Sequence, residues 1–198
     1  MKSVRASIAS VTAGPPRATV LLIRHAETDA MRHTLCGRLP HVPLNAAGVR
    51  QAAQLAASLA GFPLEAVYTS PLERARETAG ALAAQLDVAV HVDDDLVEIN
   101  FGEWTGLTFD ALATRRDWHS YNTARAGAVI PGGEAPAASA DRVRRALRTL
   151  QRRHGGAVIG VVTHAELIRY AILRARGVPL DRWMEIDVPP ASVTILDA

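Results

Sequence analysis

Residues 19 to 28 read Thr-Val-Leu-Leu-Ile-Arg-His-Ala-Glu-Thr, an apolar run that ends in a guanidinium, Arg24, and an imidazole, His25. A guanidinium keeps its charge and grips oxyanions through a planar fork. A neutral imidazole is a base or a nucleophile near neutral pH. The run Val20, Leu21, Leu22, Ile23 is what a strand buried on both faces of a parallel sheet looks like. In open α/β sheets, ligands bind beyond the carboxyl ends of such strands. One Arg-His pair is equally well a polar strand end. A second copy alters the weighing: residues 157 to 164, Ala-Val-Ile-Gly-Val-Val-Thr-His, are another apolar run that ends in His164. Two central strands that both end in histidine can set two imidazoles side by side.

The elements that must position these groups follow from the pattern. After His25 the segment to Pro43 carries Gly37, Arg38, Pro40 and Pro43 and reads as a loop around the strand end. A helix is expected over 46–60, with Val49, Ala52, Ala53, Ala56 and Leu59 inward and Gly61 ending it. A strand over 66–69 follows. Ser70-Pro71 reads as an N-cap with proline in the first turn of a helix over 72–86, which carries Arg74 near its start. A third strand spans 88–92. From Asp93 to Gly133 the periodicity loosens, with Trp104, Trp118 and Tyr121 among polar residues, as in a cap over a site. An amphipathic helix over 138–153 turns Val143, Leu147 and Leu150 inward, and its arginines 142, 144, 145, 148, 152 and 153 read as a solvated face. They lack the interleaved aromatics of a nucleic-acid surface. A helix over 165–176 and an edge strand over 192–196 complete the chain. Alternating strands and helices predict a three-layer α/β/α sandwich around a mostly parallel sheet. Residues 18–198 then form one domain with a small cap insert around 100–135, preceded by a flexible tail over 1–17.

Composition bounds the partners. The chain has 198 residues, 48% of them hydrophobic, and a net charge of only +2, so no general field draws nucleic acid or membrane. A single cysteine, Cys36, excludes an intrachain disulfide framework, reads as a loop filler, and makes the cytoplasm the expected location. No segment has signal-peptide or transmembrane character. His33, His41, His91, His119 and His154 lack metal-ligand spacing, so no metal or other cofactor is expected. The apolar last strand offers an edge through which two copies can pair as a homodimer.

Leu-Ile-Arg-His-Ala-Glu-Thr resembles the strand-end motif of the histidine phosphatase superfamily, in its phosphoglycerate mutase-like branch. Five further blocks match in the same order. They are Gly37-Arg38 with Pro43-Leu44-Asn45 and Gly48; Tyr68-Thr69-Ser70-Pro71-Leu72-Glu73-Arg74-Ala75; Leu96-Val97-Glu98-Ile99-Asn100-Phe101-Gly102-Glu103-Trp104; Pro131-Gly132-Gly133-Glu134; and Val162-Thr163-His164. The residues leave open which histidine attacks. The resemblance implies His25 as the nucleophile, phosphorylated in a covalent intermediate, with Arg24, Arg74 and His164 on the phosphoryl oxygens. It further implies Glu98 as the general acid, with Glu103 and Glu134 as second choices, and Thr28, Gly37, Arg38 and Ala165 as further substrate contacts. Arginine suits phosphoryl transfer, which relies on positioning and charge stabilisation.

The expected function is hydrolysis of a small phosphorylated metabolite. The rivals are a phosphoglycerate mutase, whose relatives generally carry a longer cap, and a catalytically silent phosphate-binding regulator. Three departures from the family pattern stand out. Ala26 replaces the commoner glycine, Asp29 to Arg32 lacks the usual asparagine, and Ala165-Glu166 replaces Gly-Gly or Gly-Asn. Glu166 brings a carboxylate towards the pocket.

Overall fold

The apolar runs become strands whose order brings the two histidine-bearing ends together. The computed structural model describes residues 16–196. In it β1 (Thr19–Arg24), β2 (Leu64–Thr69), β3 (Ala89–Val92), β4 (Val158–Thr163) and β5 (Val193–Leu196) form one sheet in the order β3-β2-β4-β1-β5. The first four strands are parallel, and β5 runs antiparallel along β1 at the edge. β1 pairs with β4 so that Arg24 lies opposite Thr163. The next residues, His25 and His164, therefore leave the sheet beside each other. β2 flanks β4 on its other side, Thr69 opposite Val162, and delivers Ser70 to the same edge.

Among the described residues six α-helices occur, in chain order α1 (Ala46–Ser58), α2 (Glu73–Leu86), α3 (Phe109–Ala113), α4 (Arg116–Thr123), α5 (Pro136–Arg153) and α6 (Ala165–Ala175). The two-residue alternation of β1 sorts them into layers. Leu21 and Ile23 pack with Leu55, Ala75, Ala79 and Leu82 under α1 and α2. Val20 and Leu22 pack with Val143, Leu147, Leu150 and Ile168 under α5 and α6. Burial of each such large side chain stabilises the fold by roughly 1.5–3 kcal/mol relative to exposure, which makes this three-layer arrangement the chain's principal source of stability. The expected three-layer sandwich is the observed one.

Several local expectations are corrected. Val49 and Ala53, expected inward, face solvent, Val49 with 57% of its surface exposed. The buried face of α1 is Gly48, Ala52, Leu55 and Ala56. The cause is a close approach of backbone: a Cβ on Gly48 would lie 2.0 Å from the Glu27 carbonyl oxygen. Glycine at that position seats α1 against the loop leaving His25 and rotates its neighbours outward. Asn45 ties the same loop, capping α1 through Gly48 N–H at 2.8 Å and donating to Glu27 and Asp29.

Ser70 does not cap α2, which begins at Glu73 with no side-chain cap. Nor are all the arginines of α5 solvated. Arg142 forks onto Glu134 at 2.9 Å through two nitrogens and donates to the carbonyls of Asp95 and Val97. Segment 93–133 is more ordered than its sequence promises. Phe101, Trp104, Leu112, Tyr121 and Ile130 are buried in the same cluster as the α5 and α6 side chains. Residues 1–15 of the expected tail lie outside the described residues. Among the described residues, no helix is long and apolar enough to cross a membrane.

Candidate active site

Three strand ends build the centre. The His25 ring is buried and its Nδ1–H donates to the Ala26 carbonyl at 2.8 Å. That bond leaves the lone pair on Nε2, where Arg74 Nε–H donates at 3.2 Å. Burial, then the charges of Arg74 and Arg24, push the His25 pKa down to about 3 despite the Ala26 carbonyl. The imidazole is therefore neutral throughout the physiological range. Thr78 braces the site, its hydroxyl accepting from Ala26 N–H at 3.0 Å and donating to the Arg74 carbonyl at 2.7 Å.

The His164 ring lies 5.1 Å from that of His25, centroid to centroid. Its Nε2 is 2.7 Å from the Ser70 hydroxyl. That hydroxyl also accepts from Leu72 N–H at 3.3 Å, and its own proton is available to Nε2. In the tautomer where Nε2 accepts that proton, the ring proton of His164 sits on Nδ1 and faces the unpaired side. Burial and the neighbouring Arg74 hold this imidazole well below its usual pKa, so the ring is neutral.

Among the described residues, Arg24 Nε, Thr28 Oγ1, Arg74 Nη1 and His164 Nδ1 are buried without a hydrogen-bond partner. Buried polar groups are nearly always paired, so four unpaired ones in one region mark a place built for an acceptor with several oxygens. Arg24, Thr28 and Arg74 line a cavity of about 260 Å³, and Ala165, directly after His164, lines it too. Ala165 opens α6, whose N-terminus favours an anion. Each guanidinium is also anchored through one terminal nitrogen, Arg24 Nη1 on the Val188 carbonyl at 2.6 Å and Arg74 Nη2 on the Gly37 carbonyl at 2.7 Å. Gly37 is also in the cavity wall.

Glu98 lies in the same wall with 8% of its surface exposed, and its Oε1 accepts from Ile99 N–H at 2.9 Å. Burial and the nearby Glu166 carboxylate raise its pKa to about 7, against the pull of that N–H, Arg74 and Arg24. It is thus a carboxyl able to hold a proton near neutrality. Arg38, expected on the substrate, sits behind Glu98 instead, outside the cavity wall. Its Nε–H donates to the Glu98 carbonyl at 2.7 Å and its Nη2–H to Glu134 at 2.9 Å. Glu134 therefore joins Arg38 and Arg142 in a brace for the loop that carries Glu98. Burial alone would raise the Glu134 pKa, but Arg142 and Arg38 hold it below the usual carboxylate range, which does not suit an acid. Glu103 is exposed and lies outside the wall.

Cys36 is in the wall rather than a plain loop filler, and burial pushes its thiol upward, away from the thiolate. His154, read as an ordinary surface residue, contacts Tyr68 at 2.8 Å and pairs with Glu65, remote from the cavity. No cluster of three or more metal-ligating side chains occurs among the described residues.

Sequence reading missed Ser70 as the partner of His164 and Arg125 as a fully buried cation in the wall. Ser70 stood inside a matched block and could have been found there; nothing marked Arg125. Ser70→Ala should free His164 to carry its proton on either nitrogen. The expected result is a fall in turnover of about 10-fold or more, together with a stability loss of about 1–3 kcal/mol for the buried partners left unpaired, measured as kcat alongside Tm. Ser70→Thr, which keeps a hydroxyl, should restore most of the rate.

Comparison with known proteins places this constellation. The profile of the histidine phosphatase superfamily (branch 1) matches residues 20–198. A bifunctional protein of Mycobacterium tuberculosis is 36% identical over 165 residues, 80% of this chain and 45% of that protein. The chain thus spans about half the length of that relative. Phosphoserine phosphatase 1 of Hydrogenobacter thermophilus is 27% identical over 89% of this chain and 85% of its own. The structure of YhfR from Bacillus stearothermophilus superposes with a TM-score of 0.86 at 27% identity, covering 91% of both chains.

Proposed function

Because the chain belongs to the histidine phosphatase superfamily, branch 1, we propose that it hydrolyses small phosphomonoesters through a phosphohistidine on His25. The observation that carries this reading is a neutral imidazole with its Nε2 lone pair fixed by the Ala26 carbonyl, beside unpaired donors on Arg24, Arg74 and His164.

In the first step Nε2 of His25 attacks phosphorus and the bond to the alcohol oxygen breaks. Arg74 Nε–H turns from the imidazole to a phosphoryl oxygen as the lone pair is used. Arg24, Arg74, His164 Nδ1–H and the N-terminus of α6 stabilise the charge on the equatorial oxygens. Protonated Glu98 gives its proton to the departing alkoxide, so the alcohol leaves neutral. In the second step the Glu98 carboxylate takes a proton from water, whose oxygen attacks phosphorus and releases His25 and inorganic phosphate. The net reaction consumes one water per ester and regenerates every group. A silent phosphate-binding protein would need no buried acid beside its anion site, and Glu98 supplies one.

The positive charge comes from guanidiniums, so turnover should need no divalent metal. Exhaustive chelation is expected to leave kcat almost unchanged; a loss restored only by Mg²⁺ or Zn²⁺ would contradict the mechanism. The function itself is tested by a screen of phosphorylated metabolites, 3-phosphoglycerate included, with released phosphate measured. Release from at least one supports the reading. Isomerisation of phosphoglycerate without release would make the protein a mutase, and absence of both would make it a binder.

A further inference from the structure

The catalytic centre leaves one strongly charged feature of the fold unused, and it lies at the other end of β1. There Ala18 N–H donates to the Gln151 carbonyl at 3.0 Å, tying the start of the strand to the last turns of α5. Beside it Val20 pairs with Leu196 of β5. Thr19 and Arg24 mark the two ends of the strand, about 16 Å apart. A hollow of about 210 Å³ opens here between α5 and α6, with Arg17, Arg144, Arg148 and Arg174 in its wall. A second, of about 190 Å³, shares Arg17, Arg148 and Gln151 with it and adds Arg152. Leu147, Ala171 and Leu196 supply apolar lining. The sequence reads the arginines of α5 as a solvated face; the structure sets Arg144 and Arg148 round a recess.

These guanidiniums are poorly compensated. Among the described residues Asp141 is the one carboxylate that pairs with any of the four, 3.6 Å from Arg144 Nη2 and 3.7 Å from Arg174 Nη2. Both separations are longer than a hydrogen bond. Arg144 Nε is in addition buried without a hydrogen-bond partner. Four guanidiniums against one carboxylate leave three net positive charges round one hollow. Arg144, Arg148 and Arg152 also recur at every fourth residue of α5. Like charges at that spacing are neighbours on the helix surface and destabilise it, until an anion comes between them.

We infer that this hollow is a second anion site, separate from the catalytic one, which takes an oligophosphate: two or three linked phosphoryl groups, free or as the tail of a nucleotide. Charge selects the class. A single phosphate group brings about 1.5–2 negative charges near neutrality and leaves the hollow positive, whereas linked phosphoryl groups neutralise it. Arginine forks suit their oxygens, which they bind two at a time. A nucleic-acid strand fits less well. Among the described residues no aromatic side chain lines either hollow, so its bases would find no ring on which to stack.

The test is amide NMR of the full chain titrated with tripolyphosphate, in His25→Ala protein so that the probe is not hydrolysed. Shifts are expected in two separate places, at residues 144–152 and 171–175 and round the catalytic centre. At the hollow, tripolyphosphate should bind at least about 10-fold more tightly than orthophosphate, the worth of one further charged hydrogen bond. Arg148→Gln should weaken it by about 10-fold, and Arg144→Glu with Arg148→Glu by about 100-fold or more. Shifts at the catalytic centre should stay as they were, as should turnover of a phosphomonoester when the same substitutions are made with His25 intact. ATP separates the two sources. Equal affinity means that the phosphates alone are held, and tighter binding of ATP that its nucleoside rests on Leu147 and Leu196; either upholds the site. Shifts confined to the catalytic centre, equal affinity for orthophosphate and tripolyphosphate, or binding that the arginine variants leave unmoved would overturn it. Tighter binding of a short RNA or of anionic vesicles through the same residues would overturn it too, in favour of a macromolecular surface. Asp197 follows Leu196 in the chain and lies outside the described residues. Binding seen only in Asp197→Asn protein would mean that the chain's own end fills the hollow, and would equally overturn the inference.

Discussion

His25→Ala is expected to abolish turnover of every substrate, whatever its leaving group. The second ring at the site, His164, is not free to take its place, because its Nε2 is engaged by the Ser70 hydroxyl. The arginines that remain can bind a phosphoryl group but offer no lone pair to attack it. Enzymes exceed the uncatalysed reaction by about 10⁶-fold at the least, and losing the covalent route should take the rate to the limit of detection. The fold should survive. The variant leaves Arg74 Nε without its acceptor, a cost of about 1–3 kcal/mol, which a shift in Tm will register. Phosphate release by rapid quench, with Tm measured in parallel, separates lost chemistry from lost structure. Residual turnover at even a hundredth of the wild-type rate would mean that another group attacks phosphorus.

Glu98→Gln should separate the acid from the nucleophile. The amide keeps the shape and the contact with Ile99 N–H but has no transferable proton. Alkyl phosphates, whose alkoxides leave poorly, should slow by on the order of 10² to 10⁴ in formation of the phosphoenzyme. A nitrophenyl phosphate, whose phenolate leaves unaided, should lose much less in that step. The comparison must be made in a single turnover, since the same carboxylate activates water later. Equal losses for both esters would remove Glu98 from the role. In the wild type, Glu98 is protonated below about pH 7 and ionised above it. Phosphorylation by an alkyl ester should therefore fall as pH rises through about 7, while the nitrophenyl ester shows no such limb. Stability moves in the same direction. A carboxyl whose folded pKa is raised binds protons more tightly in the native state, so stability declines from the unfolded carboxyl range near pH 4 up to about 7. Glu98→Gln should flatten that decline.

Much of this arrangement was legible in the chain because the decisive signals were local. Four-residue apolar runs ending in histidine need no tertiary information to read as buried strands, and β1 and β4 follow from them directly. The parallel sheet and the inward face of α5 rest on equally local periodicity. What escaped depended on contacts between distant segments. Gly48 meets the Glu27 carbonyl, and that contact, together with Leu55, Ala56 and Leu59 in the core, turns Val49 outward. Ser70 looks like a cap in sequence, yet the pairing of β2 with β4 draws it under His164 instead. Arginines carry no local mark of their task. Arg74 sits in the cavity wall, Arg38 and Arg142 brace the Glu98 loop from behind, and Arg125 is buried between two aromatic rings. The order of the two histidines in the reaction was likewise absent from the residues and came from the family resemblance.

The central claim is a phosphoryl group carried on His25, and trapping it is the most direct measurement. Enzyme mixed with a turned-over phosphomonoester is quenched in base within milliseconds, digested, and mapped by mass spectrometry. The account predicts phosphate on the peptide that contains His25, stable in base and lost in acid, and absent from Glu98→Gln protein only where the ester has an alkyl leaving group. Phosphate found on His164 or on Cys36, or turnover at full rate with no phosphorylated peptide at any time point, would contradict it.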